Sequence, residues 1–109
     1  HGDVTTIITA KSAYVLVQAK GRIEYFLTDD SYTIGTNAQA DIIVRNNPTV
    51  SRRHARIFMN QGFYYIEDLG SMNGTCVNGE ILRKLEPYKL EAQARIQLSD
   101  ENFVFEIRR

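Results

Sequence analysis

A chain of 109 residues suits one domain around one core, and 13 Lys and Arg balance 13 Asp and Glu. A formal net charge of zero excludes a global electrostatic pull toward nucleic acid or an anionic membrane; an anion must be met by a local cluster of cations. The single cysteine, Cys76, excludes an internal disulfide framework and cannot make a metal site alone, a usage that suits a reducing, intracellular (cytoplasmic) compartment.

No apolar run reaches membrane-spanning length and no signal peptide is visible, so membrane insertion is not expected. The chain starts His1-Gly2 without a Met. Residues 1–10 therefore read as a scar or linker extension, and residues 11–109 as the domain.

In chain order, Ala13 to Gln18 is a short β-branched and aromatic run that stops at Lys20-Gly21. Arg22 to Thr28 alternates, with Ile23, Tyr25 and Leu27 on one face, and pairs with the first run as a hairpin. Asp29-Asp30-Ser31 is a turn cluster. Tyr32 to Gly35 is a short strand, Asn37 to Ala40 a loop, and Ile42 to Val44 a buried strand. Asn46 to Thr49 is a loop stiffened by Pro48, which fixes φ and removes a backbone donor. Ala55, Ile57 and Met59 then face one way and Arg56 and Phe58 the other. Asn60-Gln61-Gly62 turns the chain into Phe63 to Leu69.

Asn73-Gly74 and Asn78-Gly79 mark tight turns, since Asn-Gly readily takes positive φ. They bracket Thr75-Cys76-Val77, which is expected to be an edge strand or loop tie. Glu86 to Gln93 has helix propensity, but Pro87 and its short length oppose a long helix. Ala94-Ile96-Leu98 and Phe103-Phe105-Ile107 alternate cleanly and form a hairpin across Ser99 to Asn102. Many short strands with almost no helix indicate an all-β antiparallel sandwich of two sheets.

Ser51 and Asn73 lie on either side of one strand-up, strand-back excursion, so both fall at the same sheet edge. Ile34-Gly35, Ser51-x-x-His54, Asn73-Gly74-Thr75 and Asn78-Gly79 occur in that order. The ordered set resembles the forkhead-associated (FHA) domain, with its motif core over Ile34 to Gly79. The resemblance implies an FHA/SMAD-like sandwich of about eleven short strands. It implies recognition of a phosphothreonine-containing peptide made by an upstream Ser/Thr kinase. It implies no enzyme activity, cofactor or nucleic acid.

By that resemblance Ser51 contacts the phosphate and Arg52 adds a second contact. Asn73 pins the peptide backbone, Met72 shapes the phosphothreonine pocket, and Thr49 reads a residue beyond it. The binding loops would run over Gly35–Asn37, Pro48–Arg53 and Ser71–Thr75, bringing in Asn37 and Ser71. Gly35, Gly74, Asn78 and Gly79 would be structural, and His54 would brace the loop that carries Ser51.

Read from the residues alone, Ser51 could equally cap its own turn and Arg52 could be a solvated surface charge. A Ser51–His54 nucleophile is disfavoured, because positions three apart on an extended strand face opposite ways.

One member departs from the pattern. The family's phosphate-binding Arg after Ile-Gly is Thr36 here. A charge-assisted hydrogen bond is worth roughly 1.5–3 kcal/mol, and losing about 2 kcal/mol weakens binding roughly thirtyfold. Arg52, Arg45 and Lys11 are cations that could offset the loss, and the sequence does not place them. A phosphate-independent scaffold or self-association domain is the alternative reading.

Overall fold

A computed structural model describes residues 12–109; the expectation for residues 1–10, and Lys11, lie outside the described residues. Eleven strands run in order: β1 (Ala13–Gln18), β2 (Ile23–Leu27), β3 (Ser31–Gly35), β4 (Ile42–Ile43), β5 (Ala55–Asn60), β6 (Phe63–Asp68), β7 (Thr75–Val77), β8 (Glu80–Ile81), β9 (Tyr88–Lys89), β10 (Ala94–Leu98) and β11 (Glu101–Arg108). They form one six-stranded sheet in the order β2-β1-β11-β10-β7-β8 and one five-stranded sheet in the order β4-β3-β5-β6-β9. Every ladder is antiparallel except β3 with β4.

The alternation along the strands supplies the inner faces. In β10 Ala94, Ile96 and Leu98 are buried while Arg95 and Gln97 are exposed. Phe103 and Phe105 of β11 and Ile57 and Ile66 of β5 and β6 fill the space between the sheets. Tyr64 of one sheet meets Phe105 of the other edge-on at 6.0 Å and Tyr14 at 5.2 Å, geometries favoured by the ring quadrupoles.

Several local expectations need correction. β7 is an interior strand, paired with β10 on one side and β8 on the other. The β10–β11 turn is only Ser99-Asp100, with Leu98 opposite Glu101. Ser99 takes φ 59°, which lets so short a turn close. Glu101 joins the strand because its buried carboxylate receives Gln18 Nε2–H at 2.7 Å and Asn47 Nδ2–H at 2.9 Å. Ile23 is exposed, because β2 is an edge strand whose far end has little to pack on. The ambiguous 86–93 stretch holds β9, paired with β6, and a turn closed by Ala94 N–H to Glu91 O at 3.2 Å. Gln93 adopts φ 67° there.

Candidate functional site

Three connections meet at one edge of the sandwich: those between β3 and β4, β4 and β5, and β6 and β7. Their approach is set by Gly35. A Cβ there would lie 2.0 Å from Arg52 O and 2.7 Å from Ser51 O, both backbone atoms that cannot swing aside. With glycine in place, Thr36 N–H donates to Ser51 O at 3.1 Å and Asn37 N–H to Arg52 O at 3.2 Å. On the other side Val44 N–H donates to Gly35 O at 2.8 Å. Three segments distant in sequence therefore lie side by side.

His54 sits beneath this edge, fully buried. Its Nδ1 accepts the Ser51 backbone N–H at 3.0 Å, so the ring proton is on Nε2, which donates to Gly74 O at 2.8 Å. One imidazole thus joins the loop bearing Ser51 to the loop bearing Asn73. The Ser51 hydroxyl does not pair with the ring; its Oγ accepts Met72 N–H at 2.9 Å. A bend at residues 52–53 brings His54 back under Ser51.

The 69–74 loop is organised by Asp68, also buried. It accepts Gly70 N–H and Ser71 N–H at 3.0 Å each, Ser71 Oγ–H at 2.6 Å and Thr75 Oγ1–H at 2.7 Å. Burial pushes the Asp68 carboxyl up, but these donors, led by the Ser71 hydroxyl, hold it below the ordinary carboxylate value. Ser71 is correspondingly withdrawn from the position expected of it. It is buried, its hydroxyl lies between Asp68 and the Gly74 N–H, and it does not line the groove described next.

Thr36, Val44, Arg45, Asn47, Pro48, Thr49, Ser51, Arg52, Met72 and Asn73 are among the residues around an open groove of about 750 Å³ along this edge. Among the described residues no carboxylate lines it. The groove therefore unites Thr36, Thr49, Ser51, Arg52, Met72 and Asn73. Met72 is 85% exposed at its rim. Asn73 gives one Nδ2–H to Thr49 O at 2.8 Å, and its Oδ1 takes no hydrogen bond among the described residues. Asn37 stays outside, its Oδ1 accepting Gln39 N–H at 2.9 Å within its own turn. Arg53 is exposed but likewise outside.

Thr49 is less available than its position suggests. Its hydroxyl donates to Asn47 Oδ1 at 2.6 Å and accepts from Ser99 at 2.8 Å. Asn47 donates in turn to Asp100 at 2.8 Å, 53 residues away, and so ties the 46–50 loop to the β10–β11 turn. That separation is why no local signal marked Asn47. Asn78 (φ 51°) and Gly79 (φ 84°) form the β7–β8 turn, with Asn78 Oδ1 accepting Arg95 N–H at 2.9 Å. Gly74 adopts φ 89°, where a side chain would be strained.

Among the described residues no helix is long and apolar enough to cross a membrane. A family model described as FHA domain matches residues 32–99. The oxoglutarate dehydrogenase inhibitor of Corynebacterium diphtheriae is 39% identical over 78 residues, covering 72% of this chain and 54% of that protein. The glycogen accumulation regulator GarA of Mycolicibacterium smegmatis is 43% identical over 56 residues, covering 50% and 35%. The match thus spans about half or less of these relatives' lengths, and their names describe an inhibitor and a regulator. The structure of Mycobacterium tuberculosis EmbR in complex with a low-affinity phosphopeptide superposes with a TM-score of 0.83 at 28% identity, covering 95% of this chain and 28% of that one. The family model spans well over half of the chain and takes in all three loops of the groove, and the chain belongs to the FHA domain family.

Proposed function

We propose that this domain binds an extended peptide carrying phosphothreonine, and so recruits a partner after an upstream Ser/Thr kinase has acted. The observation that carries this reading is the Ser51 hydroxyl. Its oxygen accepts Met72 N–H and its backbone is fixed by His54, so its own proton is left to donate into the groove. Arg52 lines the same groove without an acidic partner among the described residues. Phosphate carries about −1.5 to −2 charge at neutral pH, which hydroxyl and guanidinium donors together can meet. The Asn73 amide keeps an acceptor and one N–H for a peptide backbone.

Thr36 itself supplies no charge-assisted contact; with no other cation standing in for it, affinity would be roughly thirtyfold lower than with Arg at this position, for about 2 kcal/mol. The same residue favours a second reading, a scaffold or self-association domain that kept the fold without phosphate dependence.

A degenerate peptide pool with a central phosphothreonine, titrated beside its unphosphorylated counterpart, separates the two. Ser51→Ala and Arg52→Ala should each weaken binding of the phosphorylated pool only. Their losses should not add, because both act on one group. If the wild-type protein holds both pools equally, the phosphate reading fails and the scaffold reading replaces it.

A further inference from the structure

With Thr36 in the groove, the question is where a second cation would come from. The guanidinium-bearing residues lining the groove are Arg52 and Arg45. Arg52 belongs to the Ser51 loop. Arg45 arrives from the end of another strand, and its place follows from the parallel pairing of β3 with β4. Gly35 lies opposite Ile43, and Val44 N–H donates to Gly35 O at 2.8 Å. On its other flank the same segment is bonded through Thr36 N–H to Ser51 O at 3.1 Å. The chain at residues 44–45, at 36 and at 51 therefore forms three adjacent tracks, each about one strand spacing, ~4.8 Å, from the next. The register that sets Gly35 opposite Ile43 continues to set Val44 opposite Thr36, and Arg45 follows one residue on, lining the groove from the side away from Ser51.

Its side chain is held by no ion pair among the described residues, and it also borders a second pocket beside Gln18, Ile23 and Tyr25. Arg56 is paired with Glu67 at 2.8 Å, and Arg108 with Glu24 and Glu106 at 2.9 and 2.8 Å. Arg45 is exposed and makes no ion pair or side-chain hydrogen bond among the described residues. Among the described residues the groove holds no carboxylate that would compete with an anion for it. An arginine stem is long and flexible enough to cross one strand spacing, and its planar fork can hold two phosphate oxygens at once.

We propose that Arg45 supplies the phosphate-binding cation that Thr36 does not, so that the anion is gripped between Arg45 on one side and the Ser51–Arg52 edge on the other. The proposal rests on the phosphopeptide reading above and names the residue that sustains it.

The test uses N-acetyl-phosphothreonine N-methylamide, with its unphosphorylated counterpart as control, titrated into the protein and followed by NMR. Five proteins are compared: wild type, Arg45→Gln, Arg53→Gln, Thr36→Arg and the Thr36→Arg/Arg45→Gln double variant. An unchanged dispersed spectrum confirms that each is folded. Arg45→Gln should weaken binding of the phosphorylated probe about tenfold or more, while Arg53→Gln, outside the groove, should leave it within twofold. Thr36→Arg should rescue the Arg45→Gln variant, because it returns a cation to the adjacent track.

If wild type prefers the phosphorylated probe and Arg45→Gln binds it equally well, the role of Arg45 is overturned while phosphate binding stands. If wild type does not distinguish the two probes, both readings fall.

Discussion

His54 and Gly35 carry out the same task by opposite means. Glycine removes a side chain so that two backbones touch, and histidine inserts one so that two loops are joined. Neither presents a group to the groove. His54→Ala should therefore weaken folding and peptide binding together, since it leaves the Ser51 N–H and the Gly74 carbonyl without their partner. The expected loss of stability is about 1–3 kcal/mol, read from the urea midpoint. An unchanged midpoint with abolished binding would make His54 a ligand contact instead. Arg52 and Arg53 show how far residue-level reading reaches. Adjacent in sequence, they part in the fold: the bend at 52–53 puts only Arg52 along the groove.

At the scale of the element, the 69–74 loop owes its shape to one carboxylate. Asp68 gathers four donors from residues 70, 71 and 75, which turns a glycine-rich connection into a fixed support for Met72 and Asn73. Its lowered proton affinity has a consequence for stability. The contribution of Asp68 is fully present above the unfolded value of about 3.9 and is lost as the pH falls through the lower folded value. Urea midpoints measured from about pH 6 to pH 2 should fall below about pH 4. Asp68→Asn should cost about 3 kcal/mol at neutral pH, because an amide has one acceptor oxygen and would turn an N–H toward donors. The variant should lose less stability on acidification than the wild type. Parallel acid profiles would show that the carboxylate is not the source of the loop's stability. Ser71 belongs to this element rather than to the groove, and its sequence position beside Met72 gave no hint of that inward turn.

At the scale of the molecule, the two sheets are joined by rings. Phe105 from one sheet touches Tyr64 from the other, with Tyr14 completing the cluster. Phe105→Ala should cost about 3–5 kcal/mol through lost burial and the cavity left behind. Because the β10–β11 turn, not this cluster, meets the 46–50 loop, phosphopeptide affinity of the folded fraction should be unchanged. A denaturation midpoint close to that of the wild type would show that the sheets are held together elsewhere. The edge strands β2, β8, β4 and β9 are the surfaces on which the self-association reading would act, and β4, β8 and β9 are only two residues long.

What the sequence determined by itself were the features written in short periods. Alternation located the strands, Asn-Gly pairs located the turns, and the one hydrophobic excursion between Ser51 and Asn73 placed them at one edge. These are local consequences of side-chain direction and of backbone conformations that few residues accept. The tertiary structure decided what depends on partners far along the chain. It placed β7 in the interior, because β8 and β10 both pair with it. It drew Glu101 inward to Gln18 and Asn47, 83 and 54 residues away. It turned Ser71 to Asp68, committed the Thr49 hydroxyl to Asn47 and Ser99, and brought Arg45 to the groove that Thr36 lines, through a parallel pairing that no local pattern encodes. A buried polar group takes whichever partner the fold brings within about 3 Å, and that choice is made by packing rather than by neighbours in sequence.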